Sequence, residues 1–324
     1  MHNALKIITA LALNPAIDRT LLVPGFTAGA TNRVAAVRMD PGGKGINVAR
    51  VARALGAQVE ILGFLGEENA DLILRSLKQE QVDHRFLMVP GETRVNLKIV
   101  EPESGQLTEL NESGFTVAEE QVCELISLVE QQLPRTAVLV LAGSLPAGVP
   151  ATVYRDLIAL ARRAGVPTIV DTDGEPMRAA LKAHPTLIKP NLAETEGLLG
   201  RRLESPEAVV QGARQLLVEG PEVVVVSSGA DGAALVTAGQ SWWATPPDIR
   251  PGSTVGAGDS MVAGFAVALS RGLPLPEALR LATAAGTATA GLDGTQVCTG
   301  SSVEAVLPLV RIAELSEAEG RDVK

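Results

Sequence analysis

Short apolar runs recur along the chain and alternate with segments of helical spacing. Runs of this kind, bounded by Gly, Pro or Asn, are typical of strands that are buried on both faces of a parallel sheet. The intervening segments place apolar residues three and four positions apart, as an amphipathic helix does. The predicted strands span residues 7–13, 59–65, 137–142, 168–171, 186–189 and 223–227, and predicted helices span 121–133, 153–164 and 208–218.

This alternation predicts an α/β fold with one mostly parallel sheet, helices on both of its faces and right-handed crossovers. Two segments, residues 17–39 and 85–111, show no helical pattern. Within the second, residues 94–99 alternate between polar and apolar, as a half-buried strand does. We expect the two segments to form a small antiparallel sheet that serves as a lid. Residues 1–315 would then form a single domain, followed by a C-terminal tail over 316–324.

Composition narrows the functional classes. The 324-residue chain is 46% apolar but only 2% aromatic, so its core must consist largely of Ala, Val, Leu and Ile. A net charge of -9 argues against binding to nucleic acid or to a membrane surface, which would need an excess of Lys and Arg. Cys123 and Cys298 lack the spacing of metal ligands, which favours two reduced thiols in a cytoplasmic protein. The apolar stretch over 5–13 is too short to span a membrane.

A run of small residues precedes Asp259 and a helical pattern over 260–270. Gly256, Ala257 and Gly258 let the backbone approach a ligand, and the free amides of a helix N-terminus stabilise negative charge. Because charge spreads over the γ-phosphoryl oxygens during phosphoryl transfer, such a loop is suited to that transition state. Asp259 would accept the proton of the attacking hydroxyl. Taken alone, the motif also fits a simple turn in which Asp259 only caps the helix.

A second glycine-rich loop lies between Asp40 and Asn47 and opens another helical pattern. Gly42 and Gly43 permit a close backbone approach, Lys44 supplies a positive charge, and Asn47 can bond a hydroxyl with donor and acceptor. This pattern indicates a cradle for a sugar or a phosphate. An ordinary tight turn is the alternative interpretation.

Three further charged residues are candidates for the same site. Asp18 lies at the exit of the first predicted strand, where α/β folds collect ligand groups, and it could accept hydrogen bonds from vicinal hydroxyls. A turn cap is its alternative role. Arg33 and Arg94 lie on the two lid segments, where a lone arginine is usually solvated; a phosphorylated substrate would favour a bidentate contact.

In combination these motifs resemble a known family. The resemblance is to the ribokinase-like (PfkB) carbohydrate kinases, in the branch that acts on sugar phosphates, and it covers about residues 7–309. Six segments carry it in order: Asn14-Pro15-Ala16-Ile17-Asp18, Gly42-Gly43-Lys44-Gly45-Ile46-Asn47, Thr93-Arg94-Val95-Asn96, Ala142-Gly143-Ser144-Leu145-Pro146, Lys189-Pro190-Asn191 with Glu194, and Thr254-Val255-Gly256-Ala257-Gly258-Asp259.

The resemblance implies a kinase that uses ATP and Mg²⁺ and that often forms a homodimer through its lid. It implies that Asp259 is the catalytic base and that Gly256, Ala257 and Gly258 form the anion hole. By position, the acceptor sugar phosphate would contact Asp18, Arg33, Gly42, Gly43, Lys44, Asn47, Arg94 and Ser144. The nucleotide would contact Lys189, Asn191, Ser227, Gly229, Gly232 and Thr254, and Mg²⁺ would lie near Asn191 and Glu194, bound through water molecules.

The physical interpretation of the nucleotide segments is compatible with these roles. Lys189 and Asn191 follow a predicted strand, so a cation and an amide emerge at the sheet edge. Asn191 is also a good helix N-cap, and one residue can cap a helix and contact a nucleotide at the same time. The segment 227–232 follows another strand, but alone it indicates only a hairpin or turn.

The acceptor is predicted from segments in and near the lid. Residues 62–66, 84–86 and 110–115 resemble branch members that convert fructose 1-phosphate to fructose 1,6-bisphosphate. Tagatose 6-phosphate and fructose 6-phosphate are the alternative acceptors. A non-catalytic phosphosugar sensor is an alternative from another class, against which the intact Gly-Ala-Gly-Asp run argues. A nicotinamide-dependent enzyme is disfavoured because no Gly-x-Gly-x-x-Gly follows the first strand.

Overall fold

The computed structural model describes residues 6–315, so the tail expected over 316–324 lies outside the described residues. Its main body is a ten-stranded sheet in which the strands from β5 to β11 run parallel and the remaining edge is antiparallel. In spatial order the strands are β14 (Arg311–Glu314), β13 (Ser241–Thr245), β12 (Ala233–Val236), β11 (Val223–Ser227), β10 (Leu187–Ile188), β9 (Thr168–Asp171), β8 (Thr136–Ala142), β1 (Ile7–Ala12), β4 (Val59–Gly66) and β5 (Asp83–Val89).

Helices cover both faces of this sheet, as the apolar pattern predicts. Alternate residues of a strand point to opposite faces, and accordingly Ile8 and Ala10 belong to one buried cluster and Leu11 to the other. The helices are α1 (Lys44–Ala54), α2 (Asp71–Gln79), α3 (Glu119–Gln132), α4 (Val153–Arg163), α5 (Gly174–Leu181), α6 (Leu192–Leu199), α7 (Pro206–Val218), α8 (Ala257–Ser270), α9 (Leu275–Ala290) and α10 (Gly300–Val306). Within residues 6–315, no helix is both long and apolar enough to cross a bilayer.

Glycines bring the elements that carry the site into close contact. A side chain at Gly45 would overlap the carbonyl oxygen of Leu11, so α1 begins directly against the carboxyl end of β1. A Cβ at Gly264 would lie 2.6 Å from Ala282 Cα, so α8 and α9 cross with their backbones almost touching. Both helices that begin at glycine loops are thereby fixed to the rigid core.

A separate four-stranded sheet forms the lid. Its strands, in spatial order, are β3 (Ala36–Gly42), β2 (Ala16–Leu22), β6 (Arg94–Val100) and β7 (Leu107–Leu110). The prediction of a wholly antiparallel lid is wrong, because β2 and β6 pair in parallel. After β3 the chain passes through α1, β4, α2 and β5 before it returns to the lid, and this crossover brings β6 back in the direction of β2.

The predicted second lid segment also begins too early. Residues 85–89 belong to β5, which pairs with β4 at the edge of the main sheet. Phe86 and Leu87 are partly buried against the two main core clusters, and this burial decides where the strand lies. The lid therefore resumes at Arg94.

Candidate active site

A cavity of about 870 Å³ lies between the lid and the carboxyl ends of the central strands. This is the edge at which parallel α/β sheets collect ligand-binding groups. Side chains reach it from the lid strands β2, β6 and β7, from the ends of β8 to β11, and from α1, α8 and α9. The two glycine-rich loops, which are far apart in sequence, both line it.

Asp259 lies at the floor of this cavity, in the first turn of α8. Its carboxylate oxygen Oδ2 accepts a hydrogen bond of 2.8 Å from Asn47 Nδ2, on α1. Asn47 is in turn adjacent to the glycine loop that carries Lys44. The structure thus joins the two glycine loops, whose proximity the sequence predicts, through a direct side-chain contact.

The surroundings of Asp259 make its carboxyl group unusually basic. Burial raises the pKa of Asp259 to about 6, and the nearby charge of Asp171 acts in the same direction. Lys44, Asn47 and Lys189 favour the ionised form and limit the rise. At neutral pH the group is therefore mostly ionised and able to accept a proton.

Asp171 is a site residue that the sequence analysis does not identify. It ends β9, is buried, and pairs with two lysines: Lys44 Nζ lies 3.1 Å from its Oδ1 and Lys189 Nζ 3.6 Å from its Oδ2. Although burial opposes ionisation, these two lysines hold the pKa of Asp171 below its ordinary value. Asp171 therefore fixes both ammonium groups beside the cavity. The available signal was an acidic residue at the end of an apolar strand.

The loop before α8 exposes backbone amides to the cavity. Gly256 is the N-cap and has φ of 78°, a left-handed conformation that glycine adopts without strain. The Ala257 amide donates to the Thr254 carbonyl, and the first helical bond runs from Ser260 N to Gly256 O. The amides of Gly258 and Asp259 lie in the first turn, where helical N–H groups have no intrahelical acceptor.

Lys189 adds a full positive charge at this helix terminus. A Cβ at Gly258 would lie 3.4 Å from Lys189 Nζ, so the ammonium group and the start of α8 are in contact distance. First-turn amides and a cation side by side form a suitable environment for a phosphoryl group.

A buried network supports the glycine loop from behind. Ser260 Oγ donates to the carbonyl of Gly256 at 2.9 Å and lies 2.7 Å from Thr289 Oγ1, on α9. Thr289 Oγ1 also accepts from the backbone amide of Cys298 at 3.1 Å. The conformation of the loop is thus tied to α9 and to the segment that follows it.

The lid supplies the polar groups at the other end of the cavity. Asp18 is buried on β2, and its Oδ1 accepts from Asn96 Nδ2 at 3.2 Å. Lys98 Nζ lies 3.9 Å from the same oxygen and 2.7 Å from Glu109 Oε1. Burial raises the pKa of Asp18, and Lys98 is the main opposing influence. The sequence analysis places Asp18 here but not Asn96, Lys98 or Glu109.

The remaining acceptor candidates differ in their placement. Gly43 lines the cavity at the N-cap of α1, while Gly42 lies beneath the carboxylate of Asp18. Ser144 lines the cavity and accepts from Asn14 Nδ2 at 3.3 Å.

The two arginines occupy very different environments. Arg94 lines the cavity, but it also donates to the backbone carbonyls of Pro15, Asn14 and Glu112, so part of its guanidinium group serves to anchor the lid strand. Arg33 is exposed on the segment between β2 and β3 and is not among the residues that line the cavity. The structure therefore does not bring Arg33 to the site within one chain.

The nucleotide candidates cluster on the side of the cavity away from the lid. Thr254 and the turn between β11 and β12, with Ser227, Gly229 and Gly232, line this part. The sequence analysis misses the segment 246–249 and the α9 residues Thr283 and Thr287, which also line it. These positions follow no motif; Thr283 and Thr287 reach the cavity through the packing of α9 against α8, and 246–249 is the segment that follows β13.

Asn191 and Glu194 form a reciprocal helix cap at the start of α6. Asn191 Oδ1 accepts from the Glu194 amide, and Glu194 Oε2 accepts from the Asn191 amide, each at 2.8 Å. Glu194 lines the cavity, and its other carboxylate oxygen, Oε1, takes no part in the cap. Among residues 6–315 there is no group of three or more His, Cys, Asp or Glu side chains arranged around a metal. A carboxylate with one oxygen outside the cap is an oxygen donor of the kind that Mg²⁺ accepts.

Comparisons with known proteins show which family the chain resembles. A model of the pfkB family carbohydrate kinases matches residues 10–301. The 1-phosphofructokinase of Rhodobacter capsulatus is 45% identical over 281 residues, or 86% of this chain and 88% of that protein. That of Bacillus subtilis is 34% identical over 308 residues, or 95% and 100%. The crystal structure of phosphofructokinase-2 from Escherichia coli in complex with substrates and products gives a TM-score of 0.87 at 32% identity and covers 94% and 99% of the two chains.

Proposed function

The chain belongs to the pfkB family of carbohydrate kinases, and we propose that it transfers the γ-phosphoryl group of ATP to O6 of fructose 1-phosphate, giving fructose 1,6-bisphosphate. The observation that carries this proposal is the position of Asp259, a buried carboxylate beside first-turn amides and Lys189, in a cavity beneath a polar lid. The choice of fructose 1-phosphate is supported by relatives named 1-phosphofructokinase that match over most of the chain.

In the proposed reaction the acceptor lies under the lid, with Asp18 and Asn47 contacting its hydroxyl groups. Asp259 accepts the proton of the 6-hydroxyl, and the oxygen forms a bond to the γ-phosphorus. The bond between the γ-phosphorus and the bridging oxygen breaks, and ADP leaves. A carboxylate with a pKa of about 6 is suited to the base role because it is ionised at neutral pH yet retains proton affinity.

The developing charge on the phosphoryl oxygens would be offset by groups that are already in place. Lys189 lies beside Gly258 in the first turn of α8, and Asp171 pairs with both Lys44 and Lys189 and so keeps the two ammonium groups together. Preorganised donors of this kind lower the barrier without reorganisation during the reaction. ATP as donor is consistent with a cytoplasmic protein that has free thiols at Cys123 and Cys298.

Mg²⁺ would be held near Glu194 and Asn191, largely through water and the nucleotide phosphates. When bound, it would neutralise phosphate charge. The helix cap fixes both side chains, so the second carboxylate oxygen of Glu194 is positioned by the fold.

We further propose that the protein is a homodimer joined through the lid. The outer face of the lid carries Val37, Met39 and Leu110, which are 52%, 47% and 55% exposed. By strand register these residues share one face with Leu97 and Leu21, opposite the face that bears Asp18. In this register the exposed Arg19 lies between Met39 and Leu97, so the apolar residues flank one charge. Exposed apolar residues on one face of a small sheet are typical of an association surface, and a two-fold pairing would bury them on both copies.

A coupled assay of ADP release with three acceptors tests the function. We expect kcat/KM to be highest for fructose 1-phosphate and lower for fructose 6-phosphate and tagatose 6-phosphate. Preference for either alternative would overturn the acceptor assignment. Ligand binding without ADP release from any of them would favour the phosphosugar sensor.

A further inference from the structure

The underside of the lid presents a row of polar side chains that extends beyond Asp18. Alternate residues of a strand share a face, so β6 directs Arg94, Asn96 and Lys98 toward the cavity, and all three line it. In the strand register Asp18 lies beside Asn96, and Glu109 lies beside Lys98. The row therefore brings two cations and two carboxylates together in the acceptor half of the cavity.

Lys98 is buried to a degree that is rare for lysine. Its side chain is only 6% exposed, although it belongs to a small four-stranded sheet. Removing an ammonium group from water is costly unless carboxylates compensate it. The compensating groups are Glu109, which is 37% exposed, and Asp18, which is as buried as Lys98 itself.

The carboxylate of Asp18 is held from two sides. Its Oδ1 receives the hydrogen bond from Asn96 and faces the ammonium group of Lys98. On the other side a Cβ at Gly42 would lie 2.6 Å from Oδ2, so the carboxylate rests on bare backbone of β3. Asn96 Oδ1, which is buried, has no hydrogen-bond partner within the described part of the chain. Oδ1 of Asp18 is thus tied to β6, while Oδ2 and the amide oxygen of Asn96 are available to a ligand.

We propose that Lys98 is a positioning residue of the acceptor site, which anchors Asp18 Oδ1 to the lid strand and keeps Oδ2 a charged acceptor for sugar hydroxyls. This inference rests on the proposed kinase function. Lys98 acts through Asp18 and needs no contact of its own with the reacting atoms. Asn96 completes the arrangement, because it orients Asp18 with its amide group and offers a second acceptor beside it.

The proposal makes a prediction about charge that a purely structural role does not. Burial raises the pKa of Asp18, and Lys98 opposes this rise more than any other group. Without Lys98, Asp18 would take up a proton at a higher pH and would lose its ability to accept from two hydroxyls. The charged groups that face Asp18 are Lys98 and Arg94 from β6, Glu109 from β7 and Asp40 from β3.

The test is the binding of fructose 1-phosphate, by calorimetry, to Lys98→Met and to the protein with Lys98, from about pH 5 to about pH 8. Both proteins also carry Asp259→Asn, which removes the titration of Asp259, and ATP is left out so that no turnover occurs. The ratio of the two dissociation constants cancels the titration of the phosphate on the ligand. We expect this ratio to grow as pH falls, by up to about tenfold per pH unit in the window between the two Asp18 pKa values.

A matched variant at Glu109, the other charged partner of Lys98, should change the acid sensitivity of binding in the opposite direction. The charge of Glu109 raises the pKa of Asp18, so Glu109→Gln should make binding less sensitive to acid. Lys98→Arg should restore the pH dependence of the protein with lysine, because the positive charge returns. The proposal would be overturned if Lys98→Met lost the same affinity at every pH. It would also be overturned if Lys98→Met and Glu109→Gln changed the acid sensitivity of binding in the same direction.

Binding of the three ketohexose phosphates to the protein with all native residues separates this inference from the proposed function. If another of the three binds instead of fructose 1-phosphate, the acceptor assignment fails and the Lys98 series is measured with that ligand. If none binds, both the function and the inference fail.

Discussion

A carboxylate with a pKa of about 6 sets an acid limit on turnover. The base must be ionised to take the hydroxyl proton, so kcat/KM should fall as pH drops below about 6, by up to tenfold per pH unit. Above this value Asp259 is already ionised and the profile should be flat until another group titrates. Initial rates in a series of buffers measure this pH dependence. A constant kcat/KM down to pH 5 would contradict the role of Asp259.

Asp171→Asn provides the control for this pH profile. The phosphate of the acceptor also titrates near pH 6, but a change in the protein does not alter that titration. Asp171 raises the pKa of Asp259, so removing its charge should move the acid limb to lower pH. A limb that stays in place would assign it to the substrate.

Site residues that belong to a sequence motif could be predicted from the sequence. Site residues whose role arises only when distant side chains meet in the folded chain could not. Lys44 and Asp259 are each marked by a glycine loop. Asp171 ends an ordinary apolar strand, and its importance appears only when Lys44 and Lys189 meet on it in the folded chain. Arg33 is the reverse case: its charge suggested a phosphate contact, but within one chain its segment is not part of the cavity lining.

At the scale of the elements, the α8–α9 contact sets the position of the glycine loop. Thr289→Val would remove the hydroxyl that links Cys298 N to Ser260 Oγ. We expect kcat to fall between about tenfold and hundredfold, because the loop carbonyl of Gly256 loses part of its support and the amides shift. Thr289→Ser retains the hydroxyl and should keep near-normal kcat; equal losses in the two variants would argue for a packing effect.

The same helix pair makes a prediction about stability. A Cβ at Gly264 would lie 2.6 Å from Ala282 Cα, so Gly264→Ala should destabilise the fold by about 1–3 kcal/mol. Gly197, on α6, has open space around it, and Gly197→Ala should stabilise by about 0.5–1 kcal/mol through helix propensity. Chemical denaturation measures both. Similar free energies of unfolding for the two variants would contradict the close approach of α8 and α9.

Elements with strong apolar patterns match their predicted ranges closely. The strand over 168–171 and the strand over 223–227 agree with β9 and β11. The short strands β10 and β14 and the strands of the lid are harder to predict from the sequence. Their limits depend on pairing with neighbouring strands rather than on an apolar pattern. The assignment of residues 85–89 to the lid fails for this reason, since an edge strand and a lid strand have the same half-buried alternation.

At the scale of the whole molecule, the predicted ribokinase-like α/β architecture is confirmed by superposition on phosphofructokinase-2 of Escherichia coli. Sequence could supply this much because alternating strands and helices leave few topologies open. The strand arrangement of the lid, by contrast, depends on tertiary contacts. Polar residues on its inner face line the cavity, and its outer face carries exposed apolar residues on either side of Arg19.

Charges on that outer face should separate the proposed dimer. Val37 and Leu110 are both more than half exposed, and a Glu at either position would be desolvated in the interface. We expect Val37→Glu with Leu110→Glu to sediment as a monomer while the native protein sediments as a dimer. A native protein that is already monomeric would refute lid-mediated association. Val218→Glu, at a residue 87% exposed on α7, is the control and should not change the mass.

The most direct measurement is the turnover of Asp259→Asn with ATP and fructose 1-phosphate, together with the binding of each ligand to the same variant. We expect both ligands to bind and kcat to fall by about 10² to 10⁴, because the amide retains the shape of the side chain but cannot accept the proton. Asparagine at this position with near-normal kcat would contradict the assignment of Asp259 as the base.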